Sequence, residues 1–446
     1  MKSMPAVVVE AIRALQPREI ECVIPDLNGL PRGKALPAEA FLAGQELRMA
    51  RAIAIYTATG DFPDVKYTGE SDPDMQLKPD YATLRPVPWA RTPRMLAIHD
   101  CVDLDGKETP IASRQVLKNV LRQYAAHGLQ PIVAPELEFY LFALNPDPNQ
   151  PFSLPLTREG RQEQGASAFT FHALNAFDGF FDELYQALPL LGIRSDTFVH
   201  ELGPGQFEIN LLHGDALDLA DQTFLFKYAL REIGLKHNLN VVFMAKPLAG
   251  AAGSSMHLHQ SVMDTTGHNV FSLPDGQPSA LFFHFIAGLQ QCLPDLMPML
   301  CPSVNSYRRF VRYMTAPVNF AWSYDNRSAG LRIPLSHPAA RRVENRLPGS
   351  DANPYLALAA SLAAGLYGML NQLMPTPAAE GDIYRDAQND GRLARSLDMA
   401  LIRMAEQKTA ERLFGSAFTS AFIAAKQVEL DAFLSEITPW ERRYLI

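Results

Sequence analysis

The stretch PELEFYLF at 135–142 constrains this chain more than any other. With the PIVA that precedes it, it reads as a strand, and on an extended backbone alternate side chains share a face. Glu136, Glu138, Tyr140 and Phe142 therefore project to one side. Two carboxylates on an otherwise apolar strand are costly to bury unless a cation or a set of donors neutralises them. The strand thus implies positive charge supplied from elsewhere, and a metal ion is the simplest source.

Three other segments show the same alternation. KPLAGAAGSSMHLHQS (246–261) is a Gly/Ala-rich loop running into a short strand whose His257 and His259 face one way. In HELGPGQFEIN (200–210) the Gly203-Pro204-Gly205 turn folds the chain back, which predicts Glu201 and Glu208 on neighbouring strands, facing one another. In RVENR (342–346) Arg342, Glu344 and Arg346 alternate, so a carboxylate lies between two guanidinium groups. Any one of these alone is compatible with a solvated polar face. All four together would place many charged side chains on apolar strands without a common purpose, so a shared site is the better reading.

The residue types define its chemistry. Carboxylates with an imidazole suit Mg²⁺ or Mn²⁺ better than zinc. Arg309, Arg327, Arg332 and Arg346 add planar, permanently charged forks that bind carboxylate and phosphate. Metals combined with arginines point to phosphoryl transfer.

Composition narrows the partners. The formal charge is 40 − 48 = −8, which argues against nucleic acid or an anionic membrane surface. Cys22, Cys101, Cys292 and Cys301 are scattered, as expected for reduced thiols. The N-terminal segment has no long apolar stretch ahead of a small-residue cleavage site, which predicts a cytoplasmic protein. The uncharged stretch 355–374 is long enough to suggest a membrane span, but its Ala and Gly content and lack of basic flanks predict a helix buried on all sides.

At 446 residues the chain is long enough for more than one domain. Two strands joined at Asn28-Gly29 are expected over 19–36, then a helical piece near 38–50, a Pro- and Asp-rich loop over 60–80, and strands near 83–89 and 95–101. A domain boundary is placed at 107/108. Beyond it, a helix is predicted from Ser113 to His127, strands at 131–142 and 240–247, helices at 215–238 and 278–300, and a mostly helical tail from 350.

Taken in order, PELEFYLF, HELGPGQFEIN, KPLAGAAGSSMHLHQS, NSYRRFVRYMTAP, DNRSAGLRIP and ARRVENRLPGSDANPYL resemble the successive signature blocks of the glutamine synthetase family. The resemblance covers nearly the whole chain. It implies an α+β architecture: a small N-terminal β-grasp domain (1–107), then a catalytic domain (108–446) with a curved, largely antiparallel sheet flanked by helices. It also implies two or three Mg²⁺ or Mn²⁺ ions per active site, ATP and glutamate as substrates, and a homo-oligomer, a hexameric ring or stacked rings, whose active sites lie between subunits.

By the same resemblance, Glu138, Glu201 and Glu208 match the ligands of one metal, and Glu136, His257 and Glu344 those of another. Gly253, Arg309 and Arg346 match the glutamate site. Arg327, Arg332 and Arg342 match the phosphate-binding group, with His259 and Ser261 beside the nucleotide.

The departures from the family concern the second substrate. Where glutamine synthetases carry a flap glutamate that handles ammonium, six residues beyond the arginine matched by Arg309, this chain has Thr315. The region matching their DGSS-type loop reads IYTATGD, and the asparagine expected before Gly253 is Ala252. A neutral hydroxyl forgoes a charge interaction worth several kcal/mol at an effective dielectric of about 20. The resemblance is therefore strongest to the γ-glutamyl-amine ligases, including the γ-glutamylputrescine and γ-glutamylpolyamine synthetases, with a primary amine as nucleophile and Asp61 as candidate proton acceptor. A polyamine would require a second acidic contact, whereas a monoamine, particularly an aromatic one, would suit an apolar wall containing Tyr56, Tyr313 or Phe320; the sequence leaves both open. An authentic glutamine synthetase and an inactive structural or regulatory relative are the alternatives, and the presence of all six matched ligands argues against the latter.

Overall fold

The computed structural model describes residues 4–163, 165, 167–386 and 392–445. The chain begins with α1 (Ala6–Leu15), which buries only Val8 and Ile12. A first sheet follows, built from β1 (Glu19–Pro25), β2 (Pro31–Pro37), then, after α2 (Ala38–Leu42), β3 (Leu47–Ala50), β4 (Asp74–Pro79), β5 (Arg85–Pro86) and β6 (Met95–Asp103). Its order is β2-β1-β6-β4-β3, with β5 also on β6. The β1–β2 hairpin turns where expected: the Asp26 carboxylate accepts from the backbone N–H groups of Asn28 and Leu30, both at 2.9 Å.

Two expectations fail in this region. The helix predicted to reach residue 50 stops at Leu42, and the supposed loop contains β4. The reason is non-local. Met75 and Leu77 are buried because β4 is hydrogen-bonded to β3 on one side and β6 on the other, which outweighs its flanking Asp and Pro residues. The strand expected at 83–89 shortens to β5, preceded by a single helical turn at Tyr81–Thr83.

The second sheet is assembled around α3 (Ser113–Ala126) and the long β7 (Leu129–Ala143). After α4 (Phe171–Leu174) and α5 (Asp178–Leu190) come β8 (Ser195–His200), β9 (Gln206–Leu211), β10 (Gly214–Asp215), α6 (Ala216–Lys236), β11 (Leu239–Val242) and β12 (Met256–Asp264). The chain continues through α7 (Ala280–Leu300), β13 (Trp322–Tyr324), β14 (Leu331–Ile333) and β15 (Val343–Asn345). The order is β13-β14-β15-β12-β7-β9-β8, with β10 and β11 also on β7. Every pairing is antiparallel except β13–β14. This is the expected α+β arrangement. The strand expected at 240–247 ends at Val242.

The helical tail comprises α8 (Pro354–Leu370), α9 (Ile383–Asp386), α10 (Leu397–Gln407), α11 (Thr409–Phe414), α12 (Ser416–Leu434) and α13 (Pro439–Tyr444). Helix α8 is the uncharged segment, and it is buried almost throughout, packed against α3, α6 and α7. Among the described residues no helix is long and apolar enough to cross a membrane.

The two sheets are joined through a buried ion cluster. Arg114 of α3 grips Asp221 of α6 with two hydrogen bonds, at 2.9 and 2.7 Å, and also reaches Asp100 at 2.6 Å and Asp80 at 2.7 Å. The Tyr355 hydroxyl donates to Asp221 at 2.7 Å.

Candidate active site

Strand register brings the charged faces together. On β7 and β9 Glu138 lies opposite Glu208, and on β7 and β12 Glu136 lies opposite His257. His259 is opposite Glu344, which is opposite Arg332. One face of five adjacent strands therefore carries Glu208, Glu138, Glu136, His257, His259, Glu344 and Arg332. Glu201 joins from the turn after β8. It does not sit directly across from Glu208 as predicted: Val199 occupies that position, and Glu201 is two residues further along, on the same face, its N–H bonded to the Gln206 carbonyl.

The carboxylates fall into two electrostatic groups. Burial pushes the Glu138 carboxyl up to about 8, and the charge of Glu201 adds to this. Glu208 is driven well above the ordinary range by burial and by Glu138, Glu136 and Glu201, and Glu201 is raised by its own burial. The hydrogen bonds available to Glu138 come from uncharged groups, the Ser255 N–H at 2.8 Å and the Gln206 amide at 3.3 Å. Glu136 is the reverse case: burial would raise it, but bonds to His257 (3.3 Å) and His259 (2.8 Å) outweigh that and hold it well below the usual range. Burial also opposes ionisation of Glu344, yet Arg346 and the two imidazoles hold it at about 2.

The ligand atoms of Glu136, Glu208 and His257 lie within 4.8 Å of one another, as do those of Glu136, His259 and Glu344. The donor chemistry separates the two sets. Arg342 Nε donates to His259 Nδ1 at 3.0 Å, and arginine has no acceptor, so the ring proton is on Nε2, directed at Glu136. Both His259 nitrogens are thus engaged. Burial and Arg346 lower the His257 pKa to about 4, which leaves that ring neutral with a lone pair to offer. Crowded carboxylates with raised pKa values beside a neutral imidazole fit a divalent cation.

The arginines surround this row. Arg309 is fully buried, bonded to Ser255 Oγ at 2.8 Å and to the Leu347 carbonyl. Arg332 bridges Glu344 at 2.8 Å and Asp325 at 2.6 Å, and Arg346 binds the other oxygen of Glu344. The Nε atoms of Arg309, Arg332 and Arg346 are buried without a hydrogen-bond partner, as befits a site for anions. Arg327 is exposed, and its charge acts on Glu201.

Gly253 is required by packing. A Cβ there would lie 2.5 Å from Arg309 Cγ and 2.7 Å from the Ala245 carbonyl. Thr315 and Tyr313 lie across a cavity of about 500 Å³ whose walls also include Leu202, Pro204 and Ala252. Both adopt positive φ, 67° and 61°, which marks a strained loop. His259, Ser261, Arg342 and Glu136 line a second cavity of about 290 Å³ with Ile132, Leu211, Met263 and Ala339. Asp61 and Tyr56 are not brought to either cavity. Their loop packs instead on α12, where Glu429 accepts from the Ala58 N–H at 2.8 Å. Phe320 is buried away from the cavity walls.

Residues 110–445 match the family described as "Glutamine synthetase, catalytic domain". The chain belongs to the glutamine synthetase family. Glutamate–isopropylamine ligase of a Pseudomonas species is 33% identical over 94% of this chain and 93% of that protein. γ-Glutamylputrescine synthetase PuuA of Escherichia coli K12 is 33% identical over 96% and 91%. Type-1 glutamine synthetase 2 of Dictyostelium discoideum is 31% identical over 94% and 82%. Among solved structures, the ADP complex of GmaS superposes with a TM-score of 0.84 at 28% identity, covering 98% of both chains.

In this member of the glutamine synthetase family, sequence reasoning overlooked two residues of the site. Gln206 ties Glu138 to the Gly253 carbonyl (3.0 Å) and Ser254 (3.2 Å), and Asn210 lies opposite Glu136 and stabilises the Glu208 carboxylate. The alternation that singled out Glu208 also places Asn210 on its face, so period two could have found it. Gln206, two residues before Glu208 on the same strand, carried the same signal.

Proposed function

We propose that the protein is an ATP-dependent ligase that joins the γ-carboxylate of glutamate to a primary amine other than ammonia. The observation that carries this is a carboxylate, imidazole and arginine row whose Arg346 reaches the Thr315 carbonyl at 3.5 Å, Thr315 standing where the resemblance puts the family's flap glutamate. The amine-ligase relatives, at 33% identity, support the same reading.

The γ-carboxylate oxygen attacks the terminal phosphorus of ATP, and the bond to the ADP oxygen breaks, giving γ-glutamyl phosphate. The amine nitrogen then attacks the acyl carbon, the carbon–oxygen bond to phosphate breaks, and the nitrogen loses a proton. Arg309, Arg346 and the Gly253 backbone would hold the glutamate carboxylates. Arg332, Arg342 and Arg327 would hold phosphate oxygens, with Arg327 the catalytic arginine, and His259 and Ser261 would border the nucleotide. Glu138, Glu201 and Glu208, and Glu136, His257 and Glu344, would hold two or three divalent ions, Mg²⁺ or Mn²⁺, which supply charge neutralisation for the phosphate oxygens. To engage anions, Arg332 and Arg346 would each exchange a contact with Glu344 for one with substrate.

An alkylammonium has a pKa of about 10.4, so a proton must be accepted before attack. Asp61 is the proposed acceptor. Because its loop packs on α12 of its own chain, it would act from a neighbouring copy, consistent with a ring of subunits that complete one another's sites. The test is ADP release with ATP, Mg²⁺ and glutamate, comparing ammonium with an amine panel. Turnover with an amine well above that with ammonium is expected, and ammonium as the best nucleophile would return the protein to the glutamine-forming members. Co-assembly of Asp61→Asn with Glu136→Gln protomers should restore part of the activity, and no restoration would exclude the neighbour's Asp61.

A further inference from the structure

We infer that the amine is an uncharged-tail monoamine, alkyl or aryl, whose substituent occupies the cavity walled by Leu202, Pro204, Leu248, Ala251, Tyr313 and Met314. The inference rests on the ligase reading and chooses between the polyamine and monoamine classes that the sequence leaves open.

Two wall residues of the cavity adjoin proposed site residues along the chain. Leu202 follows Glu201, and its N–H donates to the Glu201 carboxylate at 3.2 Å. Ala252, on the opposite wall, is fastened by the Tyr140 hydroxyl at 2.7 Å and precedes Gly253, which is packed against Arg309. An amine bound here has its nitrogen near the carboxylate row and its substituent in the cavity.

The walls do not suit a second charge. Among the described residues no charged side chain lines the cavity. Its two side-chain hydroxyls already have acceptors: Thr315 donates to the Met314 carbonyl at 2.6 Å and Tyr313 to Asp382 at 3.1 Å. A distal ammonium would exchange water for at most the lone pairs of these neutral hydroxyls, with no charged partner on the walls. Leu202 and Tyr313, at 52% and 63% exposure, present apolar surface to an open concavity, which an apolar substituent would cover. The volume of about 500 Å³ is within the range of small-molecule sites.

The experiment compares kcat/KM across methylamine, ethylamine, n-propylamine, n-butylamine and benzylamine with ammonium and putrescine, using ATP, Mg²⁺ and glutamate and identifying products by mass spectrometry. Hydroxylamine, small enough to need no wall, reports activation of glutamate independently. kcat/KM is expected to rise roughly fourfold per methylene until the cavity is filled, with putrescine at least about tenfold below n-butylamine. Leu248→Asp, at a partly exposed position, should shift the butylamine-to-putrescine ratio by about tenfold toward putrescine. Putrescine matching or exceeding n-butylamine, or a ratio unmoved by Leu248→Asp, overturns the inference while the γ-glutamylamide product keeps the ligase reading. Absence of both hydroxamate and ADP with every nucleophile overturns the ligase reading itself.

Discussion

The carboxylates around Arg114 and those around Glu138 are both largely taken out of water, but among the described residues only the first set is hydrogen-bonded to arginine or lysine. Arg309, Arg346 and Arg327 act on Glu138 and Glu201 through charge alone. Asp221 is raised by burial, yet it receives two bonds from Arg114 and one from Tyr355. Asp100, half-buried, is nevertheless held below its ordinary value by Arg114 and Lys118. Glu138, Glu201 and Glu208 repel one another, and the hydrogen bonds to Glu138 come from uncharged groups. A buried charge with a matched partner is architecture, here a clasp between two sheets. A buried charge without one awaits a ligand.

The largest test of this contrast is Arg114→Met. It strands Asp221 and takes a partner from Asp80 and from Asp100, which keeps Lys118, and should cost about 3–5 kcal/mol in urea unfolding. The corresponding loss in the carboxylate row should not occur. A cost below about 1 kcal/mol would show that the clasp is no more than a surface ion pair.

His99, buried near the same clasp, gives the next effect. Burial lowers its pKa to about 4 from 6.5, with Arg114 contributing and Asp100 and Asp80 opposing. Its stability contribution is present above pH 6.5 and is lost as pH falls toward 4, amounting to about 3 kcal/mol. His99→Phe should flatten that acid limb in thermal unfolding.

Glu138 has the opposite sign. Its folded pKa of about 8 lies above the unfolded value of 4.5, so metal-free protein keeps this stability below pH 4.5 and loses it as pH rises through 8. Glu138→Gln should stabilise the metal-free protein by on the order of 1–2 kcal/mol near pH 8, and should also remove the rise in melting temperature on adding Mn²⁺. A variant that destabilises the metal-free protein would place Glu138 with the clasp rather than the site.

The smallest effect is expected from Thr315→Glu, which adds one more carboxylate beside the row. Ammonium should gain over the preferred amine by about tenfold in kcat/KM, or about 1.4 kcal/mol. No gain would separate Thr315 from nucleophile choice.

Much of the site was legible because a strand's period is a property of one short segment. Glu136 and Glu138, His257 and His259, and Arg342, Glu344 and Arg346 could be assigned to faces without knowledge of their neighbours. Glu201 was misregistered because a three-residue turn permits more than one offset, and the backbone bond from Glu201 to Gln206 selected one of them. β4 was missed because its stability lies in two partners distant in sequence. Gln206 shares the face of Glu208, but its role could not be read because it lies in reaching across to Glu138, Gly253 and Ser254.

The sequence by itself determined which residues share a face, where the hairpin at Asn28-Gly29 turns, and that the uncharged segment of α8 is interior, since these follow from covalent geometry and local transfer energies. Only the tertiary structure decided that Glu138 lies opposite Glu208, that Arg342 occupies one nitrogen of His259, and that an apolar cavity lies beside Glu201. Those outcomes depend on strand register and burial, which arise from contacts among segments far apart in the chain.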